Sequence, residues 1–258
     1  MTGGMTDDDI RLASHLADVA GAAIRPFFRA RFDIETKADA SPVTQADRAA
    51  ETAIRSVLAK ERPGDGIVGE EFGDERAGAS RIWVIDPIDG TRSFIAGRPI
   101  FGTLIALLEE GRPALGLIDQ PIIGDRWIGA EGRPTTHNGA PARTRACGAL
   151  AHAHLATTGP AYFSDEERAR FEAVSAAARD TLWGGDCYNY ALVTSGHLDL
   201  VIEAGLKLYD FAALAPIVEG AGGLMCDWAG HALTGASDGR VIAAGDAAIL
   251  DEVLGLLG

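Results

Sequence analysis

The chain has little of what would staple a small secreted fold, cross a bilayer or grip nucleic acid. Its three cysteines, Cys147, Cys187 and Cys226, stand far apart. That spacing fits neither a zinc site nor a disulfide framework, and it points to a reducing compartment. No apolar run is long enough to span a bilayer. The opening residues, Met1 to Asp9, show no basic segment leading into an apolar one, so no signal peptide is expected and the protein reads as cytoplasmic. Positive charge is scarce: 23 Lys and Arg against 37 Asp and Glu leave a formal charge of −14. Such a surface repels nucleic-acid backbones and anionic membranes, which argues against both as partners. It does not exclude a small phosphorylated metabolite, because bound cations invert the local field. Internal repeats, low-complexity tracts and a Gly/Ser/Pro linker are all missing.

What remains is an ordinary globular composition, 47% hydrophobic and 23% charged over 258 residues, with disorder expected only in the first few. Thr6 followed by Asp7, Asp8 and Asp9 opens a helix running to about Ala30, with Ile10, Leu12, Leu16, Val19, Ala20 and Ile24 on its apolar face. Phe32–Lys37 alternates as a strand. Ser41-Pro42-Val43-Thr44 breaks the chain before a second helix to about Lys60. Short strands are expected at Ile67-Val68, Arg81–Ile85, Gly102–Leu108, Pro113–Ile118 and Arg126–Ala130. Turns are expected at Gly111-Arg112 and Asn138-Gly139. Beyond Ala153–Thr157 the elements alternate. A helix from Ser164 to Arg179 is followed by one from Asp186 to Ser195, a strand at Leu198–Glu203, a helix at Tyr209–Gly220, a strand at Val241–Gly245 and a closing helix at Asp246–Leu257. The fold class is therefore α+β. A mainly antiparallel N-terminal lobe (residues 1–145) and an α/β C-terminal lobe (146–258) form one catalytic unit.

Hydrolysis of a phosphate monoester needs an activated water and neutralised phosphoryl charge. Magnesium supplies both and prefers hard oxygen ligands. Asp86-Pro87-Ile88-Asp89-Gly90-Thr91 fits that demand: two carboxylates leave a buried strand, and Gly90-Thr91 offers backbone N–H groups to phosphate. By itself the segment is equally an Asp-rich turn closed by its own side chains. Glu70-Glu71 ends a neighbouring strand, though adjacent glutamates are commonly solvated surface. Asp47 has a structural alternative as a capping-box partner of Thr44. Asp210 has one as a charge at a helix start. Four such weak signals together favour a metal site. Trp83 and Trp127 read as sheet packing. The scattered His15, His152, His154, His197 and His231 read as structural or exposed, and His137 as part of a turn.

These residues resemble the inositol monophosphatase superfamily. Gly69-Glu-Glu71, Asp86-Pro-Ile-Asp-Gly-Thr91, and Tyr209-Asp-Phe-Ala-Ala-Leu214 with Glu219-Gly-Ala-Gly-Gly223 look like its signatures. Lys37–Asp47 matches its N-terminal motif. The resemblance covers nearly the whole chain and implies the layered αβαβα architecture of the sugar phosphatases, together with a homodimer. It further implies two to three Mg2+ ions per site. Glu70, Asp86 and the Ile88 carbonyl would hold the first. Asp86, Asp89 and Asp210 would hold the second, and Glu70 would support a weaker third. Asp47 and Thr91, with Glu70, would serve catalysis by in-line attack of metal-activated water, while the Gly90 and Thr91 amides contact phosphate. No phosphoenzyme is expected, since no cysteine or histidine stands near these motifs to serve as nucleophile.

For the substrate, Trp183–Tyr190 and Asp199–Asp210 look most like the histidinol-phosphate phosphatase branch, an activity of histidine biosynthesis. Asp186 and Glu203 would pair with the cationic end of histidinol phosphate, and Asn189 would hydrogen-bond it. Asp186 has a plainer alternative as the N-cap of the next helix. The rivals are an inositol 1-phosphate or broad-specificity sugar monophosphatase, and a non-catalytic, metal-stabilised interaction protein.

Overall fold

The computed structural model describes residues 6–30, 34–36 and 42–258, without the side chains of 34–36 and 42–44. The first five residues and residues 37–41 of the Lys37–Asp47 motif lie outside the described residues, and so does the side chain of Thr44 that was expected to cap with Asp47. In chain order the protein runs α1 (Asp7–Ile24), β1 (Ile34–Thr36), β2 (Pro42–Thr44) and α2 (Gln45–Glu61). Next come β3 (Gly66–Gly69), β4 (Gly73–Glu75), β5 (Arg81–Asp89) and the short α3 (Thr91–Ile95). A meander follows: β6 (Gly102–Glu109), β7 (Arg112–Gln120), β8 (Asp125–Ala130), β9 (Arg133–His137) and β10 (Ala140–Pro141). The second half holds β11 (His154–Thr157), α4 (Asp165–Ala177), β12 (Asp180–Trp183), α5 (Tyr188–Thr194) and β13 (Leu200–Glu203). It closes with α6 (Leu208–Phe211), α7 (Leu214–Gly220), β14 (Leu224–Cys226), β15 (Val241–Ala244) and α8 (Leu250–Leu257).

Two sheets carry the architecture. The larger has the order β10-β9-β8-β7-β6-β5-β3-β4 and is antiparallel except where β3 runs parallel to β5. The smaller, β12-β11-β13-β15-β14, is parallel around β11 and antiparallel around β15. Helices α1 and α2 cover one face of the large sheet, and α5, α6 and α7 fill the space between the sheets. Helices α4 and α8 close the far side of the small sheet. The layers read αβαβα, as the resemblance implied. Strand β5 shows why its sequence is an unbroken apolar run: Trp83 and Ile85 face the α1/α2 core, and Val84 faces the middle layer. A strand covered on both faces has no polar side to display.

The elements differ from expectation where neighbours decide. The Thr6 cap forms, its hydroxyl accepting the Asp9 amide at 3.2 Å, but α1 ends at Ile24 before a turn containing Pro26. The hairpin turn lies at Glu110-Gly111, both left-handed, one residue earlier than read. The expected helix Tyr209–Gly220 is two helices. Pro216 lacks the N–H a continuing helix needs and is tolerated only in a first turn, which is where α7 places it. Strands β4 and β12 went unread because both lie on sheet edges and are largely exposed, with no apolar face to mark them.

Candidate active site

Strands β3 and β5 end together. Their parallel register pairs Gly69 with Ile85, so Glu70 and Asp86 leave the same edge of the sheet, and the Glu70 amide donates to the Ile85 carbonyl at 3.2 Å. Beyond Asp86 the pairing with β6 breaks, resuming at Asp89 opposite Gly102. The Asp86 carboxylate closes the turn by accepting the Ile88 amide at 3.0 Å, and Thr103 Oγ1 donates to the Pro87 carbonyl at 2.8 Å. Gly90, at φ 82°, starts α3, and Thr91 Oγ1 donates back to the Ile88 carbonyl at 3.1 Å. The Asx turn considered from sequence is therefore real, and it lines a cavity all the same.

That cavity, of about 310 Å³, lies between the two halves of the chain. Glu70, Asp86, Ile88, Asp89, Gly90 and Thr91 form one wall, while Asp186, Glu203, Lys207 and Asp210 form the other. Asp210 caps α6 by accepting the Lys207 amide at 2.6 Å, so its structural role and its place in the cavity coexist. One carboxylate oxygen from each of Asp86, Asp89 and Asp210 lies within 4.8 Å of the others. Asp86 is buried, and burial, followed by the charges of Glu70, Asp89, Asp210 and Asp47, pushes its carboxyl well above the usual range. Asp89 is half-buried and lines the cavity. Burial, then Asp186 and Asp210, raise it likewise, against the pull of the Cys187 amide, which donates to Asp89 Oδ2 at 2.6 Å. Burial carries Asp210 up to about 7. Three crowded carboxylates that resist ionising side by side, beside a backbone carbonyl, form the hard-oxygen donor set that suits a divalent cation. Asp47 is buried in the first turn of α2, close enough for its charge to act on Asp86.

The residues picked out for substrate separate. Glu203, at the end of β13, is buried and lines the cavity. Its Oε1 accepts the Thr158 amide at 2.7 Å, and burial pushes it up to about 7. Asp186 also lines the cavity and does not cap α5, whose N-cap is Cys187. Its Oδ2 accepts from Ser93 Oγ at 2.6 Å, and its charge is partly answered by Arg98 and Arg92. Asn189 is not brought to the cavity wall: its amide donates to the Gly184 carbonyl at 3.0 Å and supports the turn behind Asp186. One expectation needs correcting. Cys187 is distant from the Asp86 segment in sequence but lines the same cavity. Its thiol is buried and raised well above the ordinary range, so it is a thiol rather than a thiolate nucleophile. Sequence reading missed Tyr162, with Arg92 5.8 Å from its ring, and the buried Tyr190, all on the cavity wall, and Ser93 behind Asp186. Only Ser93, two residues past the motif, carried a local signal.

The family model for the inositol monophosphatase family matches residues 6–256. The chain belongs to that family. It is 50% identical over 248 residues to a bifunctional phosphatase, chloroplastic, of Arabidopsis thaliana, spanning 93% of this chain and 72% of the relative. A histidinol-phosphatase of Mycobacterium tuberculosis is 38% identical over 97% of this chain and 98% of its own. Among solved structures, an inositol monophosphatase from Zymomonas mobilis superposes with a TM-score of 0.91 at 58% identity, covering 97% of this chain and 98% of that one. As a member of the inositol monophosphatase family the protein is a phosphoric monoester hydrolase acting on small phosphorylated substrates. Family enzymes use divalent metal, typically Mg2+, and the acidic cluster is in place for it. Among the described residues, no helix is long and apolar enough to cross a membrane.

Proposed function

We propose that this family member hydrolyses L-histidinol phosphate to L-histidinol and phosphate. The observation that carries the choice is the pair of carboxylates, Asp186 and Glu203, on the cavity wall facing the Asp86 segment. A neutral cyclitol can offer carboxylates there only hydroxyl donors, whereas an alcohol bearing an ammonium and an imidazole adds opposite charge to its hydrogen bonds. The histidinol-phosphatase relative supports the same reading.

In this reading Glu70, Asp86, the Ile88 carbonyl, Asp89 and Asp210 would hold the Mg2+ ions. When bound, such ions neutralise phosphoryl charge and acidify an attacking water. The chain's own groups do the rest. Thr91, its hydroxyl tethered to the Ile88 carbonyl, orients the water in line with the scissile bond, and Asp47 takes its proton. The Gly90 and Thr91 amides, at the start of α3, hold phosphoryl oxygens. Glu203 and Asp186 fix the cationic end of the leaving alcohol. Residues 1–145 supply most of these groups and residues 146–258 the rest, in a protein we expect to be a homodimer.

Turnover of histidinol phosphate and inositol 1-phosphate, measured side by side with Mg2+, tests the choice. Histidinol phosphate should be preferred. Removing a charged partner by Glu203→Gln should raise its KM about tenfold or more, with a smaller effect on inositol 1-phosphate. Preference for inositol 1-phosphate, or indifference of histidinol phosphate to both Glu203→Gln and Asp186→Ala, overturns it. The alternative, an inositol 1-phosphate or broader sugar phosphatase, is favoured by the likeness to the Zymomonas mobilis inositol monophosphatase. The same panel decides between them.

A further inference from the structure

Helix α2 carries two buried carboxylates one turn apart, Asp47 and Glu51, and only the first has a part in the reading above. A buried carboxylate has to be paired and hydrogen-bonded, and every partner given for Glu51 leads toward the metal ligands. Its Oε2 accepts the Glu71 amide at 2.8 Å. Its Oε1 accepts the Phe72 amide at 3.3 Å and Arg55 Nε at 2.7 Å. Arg55, one turn further along α2, donates to the Gly73 carbonyl and lies 3.7 Å from Glu75. Arg48 adds an ion pair to Glu71 at 3.7 Å. Apart from the Glu51–Arg55 pair within α2, these contacts fall on the β3–β4 hairpin, whose turn starts at Glu70.

The approach is close enough to dictate sequence. A Cβ on Gly69 would stand 2.1 Å from Glu51 Oε1 and 2.7 Å from Arg55 Nη2, so the glycine before Glu70 makes room for this pair. Apolar packing contributes little to the outer part of the hairpin, since β4 is exposed throughout and Phe72 is 50% exposed. A charged group accepting two successive amides fixes the orientation of the residue just before them. Outer partners of this kind hold metal ligands in register.

We propose that Glu51, locked by Arg55, is a positioning residue for Glu70. It ties the hairpin to the helix that bears Asp47, so the metal-ligating and proton-accepting carboxylates ride on one rigid piece. This rests on the reading of Glu70 as a metal ligand, and the test separates the two claims. Mg2+ is titrated calorimetrically into metal-free protein for the native chain, Glu51→Gln, Glu70→Gln and the double variant. Glu51→Gln should weaken Mg2+ binding by about 10–100-fold, the usual cost of losing an outer partner. In the Glu70→Gln background it should weaken binding no further. Native affinity in a folded Glu51→Gln protein, or full additivity of the two substitutions, overturns the inference and leaves Glu70 a ligand. Undiminished binding in Glu70→Gln strikes down the ligand reading and the inference with it. Should Glu51→Gln fail to fold, Glu51→Asp, which keeps the charge and withdraws it by one methylene, is judged by the same outcomes.

Discussion

Replacing Gly90 with alanine probes how tightly the Asp86–Thr91 segment is fitted to Asp186. Gly90 has φ 82° and ψ 40°, a left-handed conformation in which a Cβ costs about 1–2 kcal/mol. The added methyl would also stand 2.7 Å from the Cγ and Oδ2 of Asp186 and 2.9 Å from its Cβ. Because the Cβ is included, turning the carboxylate aside does not relieve the clash, and the Gly185-Asp186 backbone has to move. That movement forfeits the 2.6 Å bond from Ser93. A hydrogen bond to a charged group contributes about 1.5–3 kcal/mol. The combined loss is about 3–5 kcal/mol, which in a chain of this size lowers Tm by roughly 6–20 °C. Thermal denaturation of Gly90→Ala should be compared with Gly64→Ala and Gly148→Ala, two positions with nothing within 4 Å of a new Cβ. These controls should stay within about 1 kcal/mol of the native protein. Phosphatase activity should fall with Gly90→Ala as well, since the Thr91 amide moves with the strained turn. A Gly90→Ala protein as stable as the controls refutes the reasoning.

The remaining predictions follow from charge. Glu203 has its pKa raised to about 7 from an ordinary 4.5, so its contribution to stability is fully present below pH 4.5 and is lost as pH rises through 7. Metal-free Glu203→Gln should therefore match the native protein near pH 4.5 and exceed it at pH 8 by up to about 3 kcal/mol in denaturant unfolding; parallel curves at both pH values contradict this. Chelation, or Asp89→Asn, should abolish phosphate release while circular dichroism stays native, and activity persisting under either disproves the two-metal reading. Asp199, buried, accepts from Arg145 at 2.6 and 2.5 Å and from the His154 amide at 2.7 Å. Arg145→Met should cost about 1–3 kcal/mol by leaving that carboxylate without its cation, the guanidinium being 39% exposed and its loss partly offset by water, as measured by urea unfolding.

Much of the fold was legible because the signals were local. Thr6 with Asp9, and Ser164 with Glu167, form capping boxes that their spacing announces. The run Arg81–Ile85 declared a strand buried on both faces, and Asn138-Gly139 a turn with both residues left-handed. Edge strands and the break before Pro216 were harder, since their form is set by what they pack against. The carboxylates of the site were legible as residue types at element ends, and two of the bland alternatives proved compatible with the site. Asp86 closes an Asx turn and Asp210 caps α6, yet both face the cavity.

The sequence alone determined the class of chemistry: acidic groups leaving strands and helices, beside glycines, in an order that resembles one phosphatase family. That information survives in a linear text because each motif is closed by hydrogen bonds spanning only a few residues. Only the tertiary structure decided which groups meet. Parallel pairing of β3 with β5 brings Glu70 beside Asp86, and Cys187 reaches Asp89 across the gap between the two halves. The fold also turned Asn189 away from the cavity and gave Glu51 its place behind Glu70. Such convergence depends on contacts between residues far apart in the chain, where spacing carries no geometric information.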